Sequence, residues 1–398
     1  MVLIRFEGNP ILEPRQQYSW ESKAVFNPGA IYLNGKVHIV YRAIGDSDTS
    51  VLGYASSSDG LNIDERLDQP IYAPREPFEG IHYSSHSLPY YMSYASGGGI
   101  GGCEDPGLTR IGDRIFMAYV AYDGYSPPRV ALTSILTSDF LSRKWRWASP
   151  VLISPPGIVD KNACIFEELI GGKYVIMHRI FPDILIDFVD NLDFDGKTKW
   201  LKGDFSISPR ADYWDSRKIG AGPPPIKTDK GWLLIYHAVD DSDPGYYKIG
   251  AMLLDLRDPT RVIALLNKPI LRPEARYETE GNKANVVYPC GAVKIGESVF
   301  VYYGGADTVV CVATAKLDDI LRELVPQEPV HHLPMLKPKA SLMITADREV
   351  QAYCFKCRKK RVMNNPRITT LKNARTAIQG ECPVCGSKMS RIGRLRGL

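Results

Sequence analysis

Long apolar runs are missing from this sequence. No stretch of about 18 apolar residues occurs anywhere in the 398, and the N-terminus, MVLIRFEGNPILEP, has no long apolar segment and no small-residue cleavage site. These absences exclude a spanning helix and a secretory leader, and predict a soluble, cytoplasmic protein with no membrane partner. Helical periodicity is scarce as well, so a helix bundle is excluded. Acid is nearly absent from one end: residues 351–398 hold twelve Lys/Arg and a single acid, Glu381, for a net +11. Residues 1–350 carry 37 basic and 44 acidic residues, so the overall +4 hides two different objects.

The eight cysteines divide at the same place. Cys103, Cys164, Cys290 and Cys311 are scattered through the acidic part and read as small buried hydrophobes. Cys354, Cys357, Cys382 and Cys385 form two CxxC pairs in turn-like contexts, YCFKCRKK and ECPVCGSK. Thiolates at that spacing can close a tetrahedron around Zn²⁺, and disulfides are disfavoured in a chain without a leader. A redox pair is the bland alternative. The expected organisation is a domain over 1–325, a proline-bearing linker over 326–350, and a zinc-ribbon-like module with a basic tail over 351–398.

Gly (34) and Pro (29) punctuate short Val/Ile/Tyr/Phe runs, which predicts an all-β fold. A Gly turn followed by an alternating strand occurs five times: LNGKVHIVYRA (33–43), IGDRIFMAYVAY (111–122), IGGKYVIMHRI (170–180), DKGWLLIYHAV (229–239) and IGESVFVYYGGA (295–306). A period of roughly 60–75 residues with about four strands fits a propeller blade, because a sheet of that size cannot bury both faces alone. Five blades are predicted. Each copy is preceded by a short polar or Pro/Gly stretch: FNPGA (26–30), CEDPG (103–107), VDKNA (159–163), IGAGPPP (219–225) and YPCGA (288–292). In a propeller the inner strands line a central channel, so these five stretches should meet in one pocket.

Such a pocket would gather Glu104, Asp105, Asp46, Asp48, Arg42, Lys161, Arg179, Lys218 and His237 with several aromatic rings. Rings that stack on pyranose faces and carboxylates that bind hydroxyls suit a sugar, and basic side chains at strand ends suit phosphate. The competing reading makes the charges structural ties between blades. His82 and His86 stand at i and i+4, but in a segment that reads as an irregular loop, so no metal pair is expected there; His331 and His332 lie in the linker without a clear partner.

The motifs FNPGA, VYRAIG (40–45), LGYASSSDG (52–60), GGCEDP (101–106), AYVAYDG (118–124), DKNACIFEE (160–168), WDSRKIGAGPPPIKT (214–228) and GWLLIYHAV (231–239) together resemble glycoside hydrolase family 130, the β-mannoside phosphorylases and hydrolases. The resemblance covers nearly all of 5–320 and implies a five-bladed β-propeller. It implies that Asp105, the acid of Glu-Asp-Pro, is the proton donor, acting through a sugar hydroxyl. It implies inorganic phosphate as co-substrate, held by Arg179, Lys218 and His237, with Lys161 beside them. Asn27, Arg42, Asp46 and Tyr122 lie in matching motifs and are expected to line the sugar site, with Glu104 as a structural or sugar-hydroxyl contact; Tyr288 and Asp307 stand at the last blade's channel end and its outward turn and are candidate substrate contacts by position. Phosphate arrives anionic, so cations replace the second carboxylate that an inverting hydrolase needs. The implied reaction turns a β-mannoside and phosphate into mannose 1-phosphate and a shortened acceptor. The alternatives are a hydrolase, or a propeller that binds glycan or nucleic acid without turnover. The chain departs from the family at Gly107, where Arg usually follows Glu-Asp-Pro. The implied partners are a mannose-containing oligosaccharide or glycoconjugate, with a protein, nucleic-acid or homo-oligomer contact through the basic tail left open.

Overall fold

The computed structural model describes residues 2–80, 97–327, 351–370 and 376–392. His82, His86, His331, His332 and most of the proposed linker lie outside the described residues. The chain divides into two compact units, Met1–Pro334 and Met335–Leu398. Among the described residues the helices are short, the longest being Leu317–Glu323, and none is long and apolar enough to cross a membrane.

The first unit is built from antiparallel strand sets. The first set is Ala24–Leu33, Lys36–Ile44, Thr49–Ser57 and Glu65–Arg66; the second is Gly101–Ile111, Arg114–Tyr122, Arg129–Leu136 and Val151–Leu152. Short parallel pairing of Thr49 with Gly101 and Ser50 with Gly102 joins these two into one sheet. The third set is Lys161–Ile165, Tyr174–Ile180, Asp183–Val189 and Phe205–Ile207. The fourth has Lys218–Ala221 and Ile226–Lys227 against Trp232–Val239, then Lys248–Leu254 and Val262–Leu265. The fifth is Val287–Ile295, Ser298–Gly305 and Val309–Lys316, completed by Ile4–Arg5 from the other end of the chain.

Local chemistry explains the hairpins. Asn34 and Gly35 both have positive φ between the paired Leu33 and Lys36, the two-residue turn whose twist matches that of the flanking strands. Hydrophobic clusters then fill the space between successive sets. Val40 and Leu52 meet Cys103 and Met117, Ala118 and Val130 meet Ile165 and Ile176, and Met177 and Ile186 meet Leu234 and Met252. Ile235 and Ile249 meet Val299 and Val301, and Val310 and Val312 return to Ile39 and Tyr41 of the first set. Burying about 25 cal/mol per Å² of apolar area at each of these contacts is what makes sheets of this size stable.

The first strand of four sets carries a bulge, with register jumps at Phe26/Gly29, Glu104/Gly107, Lys161/Cys164 and Pro289/Gly291. Asn27, Asp105 and Asn162 occupy the left-handed region at the first three, with φ of 47°, 51° and 58°. Asn and Asp are the non-glycine residues that enter this region most easily. The bulges pack directly on neighbouring backbone. A Cβ on Gly29 would lie 2.2 Å from the Pro106 carbonyl oxygen, on Gly107 2.9 Å from that of Ala163, on Gly222 2.8 Å from that of Pro289, and on Gly291 2.7 Å from that of Pro28. Gly107 is therefore a packing residue here: an arginine in its place would force two backbones apart.

Gly29→Ala should accordingly cost about 1–3 kcal/mol of stability through a clash that no side-chain rotation relieves. Gly35→Asn, in open space at a position with φ of 75°, should change the melting temperature little. Parallel thermal denaturation of the two variants checks the contrast; equal behaviour would refute the close-approach account.

Candidate active site

At the bulged end of these strands all five sets contribute to one cavity. Its lining includes Asn27 and Arg42 from the first set, Asp105 from the second, Lys161 and Arg179 from the third, His237 and Tyr247 from the fourth, and Tyr288 and Asp307 from the fifth. The larger groove at the opposite ends of the strands, lined by Tyr32, Arg110 and Lys227 among others, holds none of the expected site residues.

One side of the cavity is acidic. The bulge turns Asp105 toward the cavity, where its Oδ1 accepts from Asn27 Nδ2 at 2.8 Å and lies 3.5 Å from an Arg42 terminal nitrogen. Arg42 is fully buried, its guanidinium 4.7 Å above the Phe26 ring, and it donates to Ser50 Oγ at 3.0 Å and to Glu104 Oε1 at 3.0 Å. The other Glu104 oxygen accepts from Lys161 Nζ at 3.2 Å. Glu104 is wholly buried between two cations and braces them, whereas the Asp105 side chain keeps 7% exposure. Two carboxylates adjacent in sequence thus have different surroundings. Burial is the main cause that pushes the Asp307 carboxyl up to about 6; the nearby Lys283 and Arg42 oppose this, while Asp105 and Glu104 add to it.

The other side is cationic. The His237 ring is buried, 4.4 Å from the Tyr288 ring and 6.0 Å from that of Tyr247. Neither His237 nitrogen has a hydrogen-bond partner among the described residues, and buried Arg179 Nε has none either. Lys218 Nζ donates to the Tyr247 hydroxyl and stands 4.5 Å from that ring's centre, with Lys283 Nζ at 4.3 Å from it. Burial first, and then Arg179, Lys218 and Lys283, hold the His237 imidazole well below its ordinary value. Burial and three neighbouring cations thus disfavour a positive charge on this ring. The cation that sequence reasoning missed is Lys283. Burial raises the Tyr247 phenol, but the flanking lysines outweigh it and bring the group down to about 8.

Lys218 is brought beside the cavity through Tyr247 without lining it. Asp46 and Tyr122 are placed elsewhere: Asp46 is exposed and accepts from Ser22 Oγ at 2.6 Å, and buried Tyr122 donates to the Gly124 carbonyl at 3.2 Å. Asn162 was not singled out from the sequence, although its bulge matches those of Asn27 and Asp105. It donates to the Tyr288 hydroxyl, fixing that ring against His237.

The second unit, taken by itself, pairs Gln351–Cys354 with Lys359–Val362 and forms a three-stranded sheet from Asn364–Thr370, Thr376–Glu381 and Lys388–Ile392. Its four cysteine sulfurs all lie within 4.8 Å of one another. That is the spread expected of four thiolates about 2.3 Å from one tetrahedral ion, and the Cys357 amide points at Cys354 Sγ at 3.4 Å, as in a metal knuckle.

Comparison with known proteins separates the two units in the same way. Residues 4–325 match the glycoside hydrolase family 130 model, described as beta-1,4-mannooligosaccharide phosphorylase, and residues 353–392 match a domain of unknown function. A 1,2-beta-oligomannan phosphorylase of Thermoanaerobacter sp. (strain X514) is 38% identical over 325 residues, covering 80% of this chain and 98% of the relative. A beta-1,2-mannobiose phosphorylase of the same strain is 36% identical over 331 residues, covering 80% and 98%. The solved beta-1,2-mannobiose phosphorylase of Listeria innocua, in complex with beta-1,2-mannobiose, superposes with a TM-score of 0.62 at 25% identity, over 81% of this chain and 99% of that one.

The raised Asp307 carboxyl has a consequence for stability. A group near 6 in the fold and near 3.8 when exposed binds more protons folded than unfolded between those pH values, so its contribution is lost as pH rises through that window. Asp307→Asn should therefore be more stable than wild type at pH 7–8, by on the order of 3 kcal/mol at most. The advantage should vanish toward pH 4, and melting curves across that range check it; a pH-independent difference would contradict the assignment.

Proposed function

The chain belongs to glycoside hydrolase family 130, and on that basis we propose that residues 4–325 act as an inverting β-mannoside phosphorylase on β-1,2-linked manno-oligosaccharides. The observation that carries the phosphate half of this reading is the buried Arg179 Nε and the buried His237 ring, which offers an N–H, neither with a hydrogen-bond partner among the described residues, beside Lys218 and Lys283 in the cavity that Asp105 also lines. A buried donor without a partner costs about 1–3 kcal/mol, which a bound oxyanion would recover. The β-1,2 linkage is favoured because the relatives at 38% and 36% identity carry that linkage in their names. A relative named for 1,4-linked mannooligosaccharides stands at 29%.

In this mechanism the mannosyl unit lies between the two sides. A phosphate oxygen, its phosphate held by Arg179, Lys283 and His237 with Lys218 standing behind through Tyr247, forms its bond to the anomeric carbon from one face while the glycosidic C–O bond breaks on the other. Asp105 gives its proton to a mannose hydroxyl, and that hydroxyl passes its own to the departing oxygen. Asn27 and Arg42 keep Asp105 oriented, and the Arg42–Glu104–Lys161 chain supports both walls. Mannose 1-phosphate of inverted configuration and a shortened acceptor leave. With phosphate already anionic, no second carboxylate is required to activate it. The five strand sets, packed in sequence with the last returning to the first, support a five-bladed propeller around this channel. We also propose that Cys354, Cys357, Cys382 and Cys385 hold a structural Zn²⁺ whose binding supplies folding energy to the basic module.

Incubation with mannose 1-phosphate and mannose should release inorganic phosphate and form β-1,2-mannobiose in preference to the β-1,4 isomer. Mannose release that does not depend on phosphate would make the enzyme a hydrolase and sink the phosphorylase reading. Asp105→Asn should lower kcat by about 10²–10⁴-fold at unchanged folding, as loss of an acid catalyst does; wild-type turnover in that variant would remove Asp105 from the reaction. Chelation should release stoichiometric zinc and open residues 351–392 to proteolysis while phosphorolysis persists, and retained protection without metal would refute the zinc assignment.

A further inference from the structure

Behind the cationic wall lies a second charged group that the reaction does not use. Asp160, His178 and Asp187 are all buried; Asp160 stands just ahead of Lys161–Ile165, and His178 and Asp187 lie on the two strands that follow it in the sheet. Both Asp160 oxygens lie within 2.9 Å of His178 Nδ1, and Asp187 Oδ2 lies 2.9 Å from Nε2. Asp187 in turn accepts from the Lys202 and Gly203 amides at 2.9 Å each, and the Asp160 amide donates to the Pro128 carbonyl at 3.0 Å. With a carboxylate on each ring nitrogen, the imidazole donates on both sides. Burial alone would lower its pKa, but the two carboxylates outweigh burial and hold it at about 9, so it is an imidazolium at neutral pH.

Their place in the sheet gives these residues a purpose. Asp160 immediately precedes Lys161, His178 immediately precedes Arg179, and Lys161 and Arg179 are register partners across the strand pair. Neighbours along a strand point to opposite faces, so each cation facing the cavity is backed by a network member turned the other way. Around Asn162 the strand is bulged and left-handed, and regular ladder bonding does not fix its register there. A charged clamp across the back holds that register.

We propose that Asp160, His178 and Asp187 form a positioning network that sets Arg179 for phosphate, and its register partner Lys161 for the Glu104 support beside it, before phosphate arrives. The inference rests on the phosphorylase reading, but it concerns phosphate binding and can be measured without turnover. Preorganised cations avoid reordering on binding, and displacement of a positioning group by about 1 Å can cost up to about 100-fold.

Asp160→Asn and His178→Gln should weaken binding of inorganic phosphate, measured by calorimetry, by about tenfold, and raise KM for phosphate and for mannose 1-phosphate alike. KM for the oligosaccharide should move less than about twofold, a split that a general loss of stability would not produce. Equal changes in both KM values, or no change in phosphate affinity, would overturn the proposal. Asp187→Asn keeps the Asp160–His178 contact and guards against misfolding of the other two; it should weaken phosphate binding about threefold, and wild-type affinity in that variant overturns the proposal on its own. If wild type binds phosphate without phosphorolysis, the functional reading fails and the positioning test still stands; if wild type binds no phosphate, both fail.

Discussion

The close approach of backbone to backbone at three strand bulges and at the end of Lys218–Ala221 is the constraint on which the first unit depends. Gly29, Gly107, Gly222 and Gly291 each face a carbonyl oxygen of the next set at a distance that leaves no room for a methyl group. With side chains excluded at those points, the side chains one or two positions away converge on a small volume. Asp105, two residues before Gly107, is presented to Asn27 and Arg42 of a different set for that reason. The same crowding removes water, and so the charges are arranged by pairing: Glu104 between Arg42 and Lys161, and His178 between Asp160 and Asp187. A buried charge without such a partner would cost several kcal/mol.

Charge is sorted around the cavity: Glu104 and Asp105 are paired with Arg42 and Lys161, whereas Arg179, Lys218 and Lys283 gather about His237. The carboxylates and Arg42 occupy the first, second and fifth sets, while Arg179, His237, Tyr247 and Lys218 occupy the third and fourth. Between them lies a region with donors on one wall and an acid on the other, the polarity an inverting phosphorolysis needs. That sorting also explains why a positive charge on His237 is disfavoured. Three cations already surround it, and a fourth positive charge there would be repelled until an anion enters.

Much of this was legible in the sequence. The fivefold Gly-turn and strand pattern marks the central hairpins, and the Asn-Pro-Gly and Asp-Pro-Gly triplets mark two bulges, since Asn and Asp enter the left-handed region and Gly admits close packing. Arg42, Asp105, Lys161, Arg179 and His237 sit at repeat-equivalent strand ends and were found in that way. Lys283 and Tyr247 were not, because they stand outside the repeated motifs, Lys283 ahead of Val287–Ile295 and Tyr247 in the connection before Lys248–Leu254. Asn162 carried a signal that went unread: it matches Asn27 and Asp105 but lacks the Pro-Gly that makes theirs conspicuous. Asp46 and Tyr122 were drawn in by neighbouring motif residues, yet one step along a strand or one turn beyond it directs a side chain elsewhere.

The sequence by itself determined the strands, their turns, the repeat and the cysteine spacing, because each depends on residues within a few positions of one another. Only the tertiary structure decided which charges meet and in what state. Asp105 and Asn27 are 78 positions apart, and Asn162 and Tyr288 are 126 apart. The raised carboxyl of Asp307 follows from burial, and the lowered imidazole of His237 from burial and from cations elsewhere in the chain; neither is encoded near the residue itself. Periodicity fixes where a side chain leaves the backbone; packing fixes what it faces, and electrostatics at short range and low dielectric decides what it then does.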